Sequence, residues 1–337
     1  MRSRAGHIGV VTLAALPAAG CAGWQSALDP HSPQAQALAE LIGVIVLICG
    51  VVWLLVVLVL ACAIWRRRPL RPQPLALDQR VERRMSIAVG SAVALTAVTL
   101  VALTALSFIA TRKSDATAQE PLVIRLRAFQ WWWEVTYLGQ SPDEIVVTAN
   151  EIHVPVGQPV RVELVAADVI HSFWVPSLAG KQDMIPGRQN ALTFTARREG
   201  VYRGQCAEFC GVQHAHMAFL VVAQPPEAFE AWLARQRAPA AAPADAEQEA
   251  GRAVFMSRGC AACHSVRGTQ ARGRLGPDLT HVGSRRMIAA GLVETTRGSL
   301  AAWIADPQTM KPGNAMPMVS LSGDELRAVS AYMAGLR

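Results

Sequence analysis

The sequence predicts a multidomain chain: a two-helix transmembrane hairpin, then an all-β unit, then an all-α unit. Three observations carry this. Two long apolar runs without charge, 41–65 and 85–110, lie in the first third of the chain. Short β-rich segments separated by Gly, Pro, Asn and Asp follow from Pro121. An alanine–proline tract, APAAAPADA, then precedes a helical pattern that leads into CAACH. At 337 residues the chain is in any case too long for one ordinary domain.

The first elements read as export and membrane anchoring. Arg2 and Arg4 are followed by a short apolar stretch and small residues up to Cys21, the layout of a secretory signal over 1–21. The tract LPAAGC resembles a lipoprotein cleavage site with Cys21 as the acylated residue. An ordinary or uncleaved signal with a free cysteine is the other reading. Each apolar run exceeds the roughly 20 residues that cross the hydrocarbon core as a helix, which predicts helices at about 40–65 and 85–110 in a hairpin over 38–111. The connecting RRRPLRPQPLALDQRVERR has seven arginines against Asp78 and Glu82, while 22–40 has no lysine or arginine. The positive-inside rule puts this loop in the cytoplasm and everything after Thr111 on the outer side. The expected location is a bacterial inner membrane, crossed twice, with both soluble units periplasmic. Hydrophobic residues make up 52% of the chain and charged ones 17%, with a net charge of +7. Much of the arginine excess lies between the apolar runs and in the last unit, so a nucleic-acid partner is excluded.

Seven cysteines occur in settings that differ in chemistry. Cys49 and Cys62 lie in an apolar run and read as lipid-facing or packing residues. Cys206, Cys210, His214 and Met217 form CxxxCxxxHxxM, and zinc does not normally recruit a thioether whereas copper does. A mononuclear blue-copper site needs one cysteine, so two thiolates point to a pair of coppers bridged by sulfur. Symmetry then asks for a second imidazole, for which His171 in another loop is the candidate. A Cys206–Cys210 disulfide with a packed His214 is the structural alternative. Cys260, Cys263 and His264 form CxxCH, the attachment signature of a c-type haem. A zinc half-site is the weaker reading, because no second cysteine pair follows. The sixth iron ligand is expected to be a methionine before the last helix, Met316 or Met318, ahead of Met310 or His281.

From about Ser26 to Gln224 the chain resembles subunit II of cytochrome c oxidase. The resemblance rests on SALDP, the hairpin, FQWWWEVTY, DVIHSFWVPSL, KQDMIPGRQN and GQCAEFCGVQHAHM. It implies a cupredoxin-like Greek-key barrel over 120–224. A dicopper CuA centre would be bound there by His171, Cys206, Cys210, His214, Met217 and the backbone carbonyl of Glu208. The Glu208 side chain would help hold a Mg ion at the boundary with subunit I, oxygen being what a hard cation takes. Trp131, Trp132 and Trp133 resemble the family's aromatic patch beside CuA. Strand spacing puts Trp131 and Trp133 on one face and Trp132 on the other, and Trp131 is the residue favoured for electron entry. Asp168 matches an acidic hydrogen-bonding position before the ligand histidine, whereas His153 and His216 read as packing or surface residues. The family commonly has a glutamate, associated with proton entry to subunit I, in a PLExxWT-like segment at the second helix; here that stretch is RVERRMSIAVG, and Glu82 is the nearby carboxylate, either in that role or as a loop charge paired with Arg83 or Arg84.

The segment 247–337 is similar to a small class of cytochrome c, through CAACH, LGPDL, Trp303 and KPGNAMPMVSLSGDELRAVSAYMAGL. The likeness implies that the Pro277 region packs the haem and orients His264, and that Phe255 and Tyr332 join the first and last helices. It also selects Met316, which directly precedes a proline. Residues 225–246 read as a short helix and an Ala/Pro linker, a semi-rigid tether keeping the haem unit near copper without a tight interface.

Together these resemblances imply subunit II of a haem-copper terminal oxidase. Electrons would pass from a cytochrome c donor through its own haem c and CuA to the oxygen-reducing centre in subunit I, coupled to proton translocation. That centre cannot lie on two short helices without its histidines. Subunits I and III, membrane lipid, and an external cytochrome c or a quinol–cytochrome c reductase are the implied partners. Two other readings share these cofactors: a CuA-containing nitric oxide reductase subunit and a stand-alone membrane-bound electron carrier.

Overall fold

The structure, a computed structural model, describes residues 22–66, 78–113, 120–139 and 141–337. The signal segment with Cys21 and most of the arginine-rich loop lie outside the described residues. Two long helices come first, α1 (Pro33–Trp65) and α2 (Gln79–Lys113), and they pack side by side. Helix α1 starts well before its uncharged run, because Ser32 caps it by accepting from the Ala35 N–H, with a proline in the first turn. Helix α2 likewise starts early, where Asp78 accepts from the Arg80 N–H, and this places Glu82 in its exposed first turn. Apolar side chains such as Leu47, Val59, Leu95 and Val101 point outward along both helices, as a lipid solvent requires.

The segment before α1 ties the hairpin to the β unit. The Trp24 carbonyl accepts from Arg203 N at 2.9 Å, and that residue's guanidinium lies over the Trp24 ring. The Ser32 hydroxyl donates to Leu178 O, and His31 N donates to Ser177 O.

The β unit is a sandwich of two five-stranded sheets. Its strands are β1 (Leu122–Phe129), β2 (Trp132–Tyr137), β3 (Val146–Ala149), β4 (Glu151–Pro155), β5 (Val160–Ala166), β6 (His171–Trp174), β7 (Gln182–Met184), β8 (Asn190–Phe194), β9 (Gly200–Cys206) and β10 (Ala218–Gln224). One sheet has the order β3-β2-β1-β5-β8 and the other β4-β10-β9-β6-β7. Alternating positions of β1, β2 and β5 point inward, so Ile124, Leu126, Trp133, Val162 and Leu164 meet Phe173 and Phe219 in one core. The run EIVVTANEIHV divides between the two sheets. Asn150 takes a positive φ of 61°, which Asn tolerates, and its side-chain oxygen accepts from Trp133 N. Helix α3 (Pro226–Arg237) closes one end, with Trp232 stacked on His153 at 4.1 Å between centroids.

The helical unit contains α4 (Ala246–Ser257), the single turn α5 (Cys260–Cys263), α6 (Arg297–Ala305), α7 (Pro307–Met310) and α8 (Gly323–Gly335), with one short antiparallel pairing of Met287–Ile288 on Val293–Glu294. Asp245 caps α4, and Ser322 with Glu325 forms a capping box on α8. Helices α4 and α8 cross closely at Gly251, where a Cβ would sit 2.0 Å from Ala328 O. Phe255 and Tyr332 meet edge to face beside this crossing.

The Ala/Pro linker departs from the semi-rigid tether, without a tight interface, that its composition suggests. Ala240 N donates to Arg267 O, the His281 ring contacts Ala238 O, and Pro239 fills the space beside Gly268. The segment is laid down on the haem unit, because its few backbone polar groups find partners there.

Candidate metal and haem centres

Two strand ends build the first centre. His171 opens β6 and Cys206 closes β9, so pairing of these strands brings together residues far apart in sequence. The intervening chain from Cys206 to Met217 loops back on itself through a short turn at His214–His216. Sulfur and nitrogen atoms converge there. Cys206 Sγ lies 3.7 Å from Cys210 Sγ and 3.9 Å from His171 Nδ1. Cys210 Sγ lies 3.6 Å from His214 Nδ1 and 3.7 Å from Met217 Sδ. The Glu208 carbonyl is 3.2 Å from Cys206 Sγ. All six atoms expected around copper therefore form one cluster. His171, Cys206 and Cys210 offer three ligand atoms within 4.8 Å of one another, and both cysteines are free thiols rather than a disulfide.

Electrostatics prepare this pocket for a cation. Cys210, then His171, hold the Cys206 thiol well below its usual range against the penalty of burial. Cys210 is pushed up in turn by Cys206 and by burial, so the two sulfurs share a proton that a metal would displace. His171 is fully buried, yet Cys206 and Asp168 outweigh that desolvation and raise its pKa. The Asp168 carboxylate accepts from His171 Nε2 at 2.7 Å, which turns the Nδ1 lone pair toward the sulfurs. Two thiols, two imidazoles and a thioether suit copper rather than zinc.

Trp131 lies in the turn before β2, where it is 8% exposed. Its indole N–H donates to Cys210 O at 3.0 Å, and the Gln130 side chain donates to the same oxygen at 2.7 Å. Gln130 N also donates to Asp168 Oδ2. This turn is thus bonded to one residue of the copper cluster, Cys210, and to Asp168, which holds another, His171. Trp133 is buried in the core, whereas Trp132 stacks on Phe129 at the edge.

The second centre is built on α5, which puts Cys260 and Cys263 on one helical turn with His264 just beyond it. Pro277 O accepts from His264 Nδ1 at 2.7 Å; a carbonyl cannot donate, so Nε2 keeps its lone pair. Burial lowers the His264 pKa and keeps the ring neutral. A Cβ at Gly276 would come within 2.5 Å of the imidazole, so the GPDL turn can press on this ring only with glycine there. Leu275 is 78% exposed, apolar surface of the kind a haem covers. Met316 is half-buried and held by Asn314, which accepts from its N–H, and by Gln308, which donates to its carbonyl. The residues present fit a covalently attached haem.

Residues 122–224 match the family model for the periplasmic domain of cytochrome c oxidase subunit II, and residues 248–337 match that for cytochrome c. A cytochrome c oxidase subunit 2 from Alkalihalophilus pseudofirmus is 33% identical over 325 residues, covering 94% of this chain and 93% of that protein. The chain belongs to the cytochrome c oxidase subunit 2 family. The subunit 2 of Bacillus subtilis is 34% identical over 236 residues, covering 67% of this chain and 65% of its own length. The crystal structure of the periplasmic domain of cytochrome oxidase subunit II from Bradyrhizobium japonicum has 30% identity and a TM-score of 0.34, over 36% of this chain and 97% of its own. Membership implies copper in the β unit of this oxidase subunit, haem in its helical unit, and a place beside subunit I in a haem-copper oxidase. With its two apolar helices the subunit is membrane-anchored and carries a periplasmic domain.

In this family member the two centres are not separate bodies. Ala218 N donates to Ala290 O, Arg286 N donates to Glu151 Oε2, and Gln213 donates to Pro312 O. Lys311 reaches across the boundary with its ammonium group, and burial pushes its pKa down to about 7. Gln130 and Lys311 are the residues that sequence reasoning missed. A polar residue beside the tryptophan run and a lysine before PGNAM were the available signals, and neither has metal-ligand character.

Proposed function

We propose that this chain is the electron-input subunit of a haem-copper terminal oxidase, carrying one electron at a time from haem c to CuA and on to subunit I. The observation that carries the reading is the convergence of all six donors on one cluster, with Trp131 bonded to Cys210 and covered by Gly313 and Lys311 of the haem-bearing unit. His171, Cys206, Cys210, His214, Met217 and the Glu208 carbonyl would hold the dicopper centre. Cys260 and Cys263 would anchor the haem, with His264 and Met316 as axial ligands. Once bound, the two groups supply one-electron oxidation and reduction and no bond making.

The protein's part is to hold these ligands still and dry. Met217 and His171 are fully buried, and Asp168 fixes the His171 tautomer, so little solvent has to reorganise when charge moves. Trp131 is proposed as the entry point, its indole lying between the haem unit and a copper ligand. Exposed Phe209, next to Glu208, fits a contact with subunit I, where the Glu208 carboxylate would complete a shared Mg site. Subunit III and an external cytochrome c, or a quinol–cytochrome c reductase, are the further partners. A bacterial inner membrane with both soluble units in the periplasm fits the arginine-rich loop.

Metal analysis of the purified complex tests the site. Copper bound by this chain should amount to two ions, with a mixed-valence spin signal and one covalent haem c. Cys206→Ser should remove that signal and leave the haem attached, because the ligands lie in different units. A single blue-copper ion would contradict the assignment, and nitric oxide rather than oxygen as the substrate would contradict the oxidase reading.

A further inference from the structure

Lys311 is 2% exposed, and among the described residues no carboxylate lies within ion-pair distance of it. Burying an ammonium is costly unless its hydrogens are bonded. All three are. Nζ donates to Trp131 O at 2.8 Å, to His216 O at 2.7 Å and to Ala289 O at 3.2 Å. The first two acceptors belong to the copper-bearing unit, on the entry turn and on the residue next to Met217. The third belongs to the haem-bearing unit, as does Lys311 itself.

The residues after Lys311 lie on the same spot. Pro312 O accepts from Gln213 at 2.8 Å. Gly313 lies against the indole, so that a Cβ there would be 3.7 Å from a Trp131 ring carbon. Three residues further on is Met316, and on the far side Trp131 is bonded to Cys210 O. A short line of contacts thus joins the haem loop to a copper ligand, with Lys311 fixing its crossing point.

We propose that Lys311 is a positioning residue that pins the haem unit onto Trp131, so that electrons cross within a permanently docked pair and not after a diffusive search on a tether. This rests on the electron-transfer reading above. With both groups bound, ferrous haem would supply one electron and the dicopper centre would accept it, with no bond formed or broken and no proton moved. Other contacts cross the boundary too, such as Ala218 to Ala290 and the Arg267 guanidinium to Ile145 O and Arg237 O, but they do not reach the Trp131 turn. Lys311 makes its two bonds across the boundary to Trp131 O and His216 O, at the place where electronic contact matters.

The test uses the intact oxidase complex, with Lys311→Met and Lys311→Gln beside the parent. Transfer from haem c to copper is followed after photochemical reduction, and backbone hydrogen exchange is followed in peptides over 211–220, which include the Ala218 N–H. The parent should transfer at a rate independent of viscosity and ionic strength. Removing the hydrogen bonds of this buried amino group should make exchange at Ala218 and loss of the docked state about tenfold or more faster in Lys311→Met. Its electron transfer should slow by a similar factor and become viscosity-dependent, with the mixed-valence and methionine–iron signals retained. Lys311→Gln keeps two donors and should fall between. If Lys311→Met loses the methionine–iron band, its loop has collapsed, and Lys311→Gln and the parent's viscosity response decide. Unchanged exchange and transfer in the variants would overturn the pin, and so would a parent slowed by viscosity. A parent in which haem c passes no electron to copper would instead overturn the electron-transfer reading itself.

Discussion

Met316 and Met318 stand two residues apart in the same loop, and their surroundings separate them. Met316 is half-buried with both backbone groups bonded, while Met318 projects 61% exposed into solvent. A ligand must be held in place against loss of chain entropy, which favours the anchored residue. Met316→Leu is expected to abolish the methionine–iron absorption band and lower the haem potential, and Met318→Leu to do neither. Optical titration of both variants checks this; the reverse outcome would move the ligand. The other donors were readable from sequence for a chemical reason. Sulfur and imidazole in CxxxCxxxHxxM and CxxCH have few uses besides metal, whereas a lysine in a loop ordinarily reads as a solvated charge. Nothing in KPGNAM says that Lys311 is buried, because its acceptors are backbone carbonyls from segments far away in the chain.

At the scale of elements, close approach decides which changes are tolerated. Gly251 lets α4 lie against α8, and Gly251→Ala would drive a Cβ into backbone at Ala328. It is expected to cost about 1–3 kcal/mol or more, as overpacking does. At Gly335 a Cβ would meet only the flexible end of Gln248, so Gly335→Ala should cost far less. Thermal melting followed by haem absorbance compares the two. Glu151 at the start of β4 is nearly buried, and burial alone would raise its pKa. His153 and the Arg286 N–H outweigh this and lower it from 4.5. A depressed carboxylate stabilises the folded state above its ordinary pKa, and that contribution is lost as pH falls through the depressed value. Glu151→Gln should therefore destabilise the protein by about 1–3 kcal/mol at pH 7, with the gap to the parent closing below pH 4.5. Denaturant unfolding of both proteins across pH measures it, and a gap that stays constant would contradict this role.

Strands with a single buried face were legible at this scale, since LVIRLRAF and PVRVELVA alternate cleanly and become β1 and β5. The segments around His171 and Cys206 read as loops, yet they fall on the adjacent inner strands β6 and β9. At four residues β6 is too short to show alternation, and β9, though it alternates in burial, reads GVYRGQC with two glycines and two polar residues. Helix starts were misjudged because caps such as Ser32 lie outside the apolar runs by which a span is recognised.

For the whole molecule, the hairpin, β unit and helical unit follow from local sequence patterns, whereas the tightness of their joining does not. Alanine and proline in 238–246 describe an entropic spring only if nothing binds it. Here both the linker and the loop at Lys311 are hydrogen-bonded across the surfaces they touch, and such pairing between distant segments is invisible to composition. The chain thus holds its two centres as one unit, reached through the haem and left through copper toward subunit I. The most direct test is to mix the reduced complex with oxygen and follow haem c in the parent and in Cys206→Ser. Haem c should be oxidised within turnover in the parent. In the variant it should stay reduced while the catalytic haem in subunit I reacts once. Haem c oxidation at the parental rate without the copper centre would show that electrons do not pass from haem c through CuA.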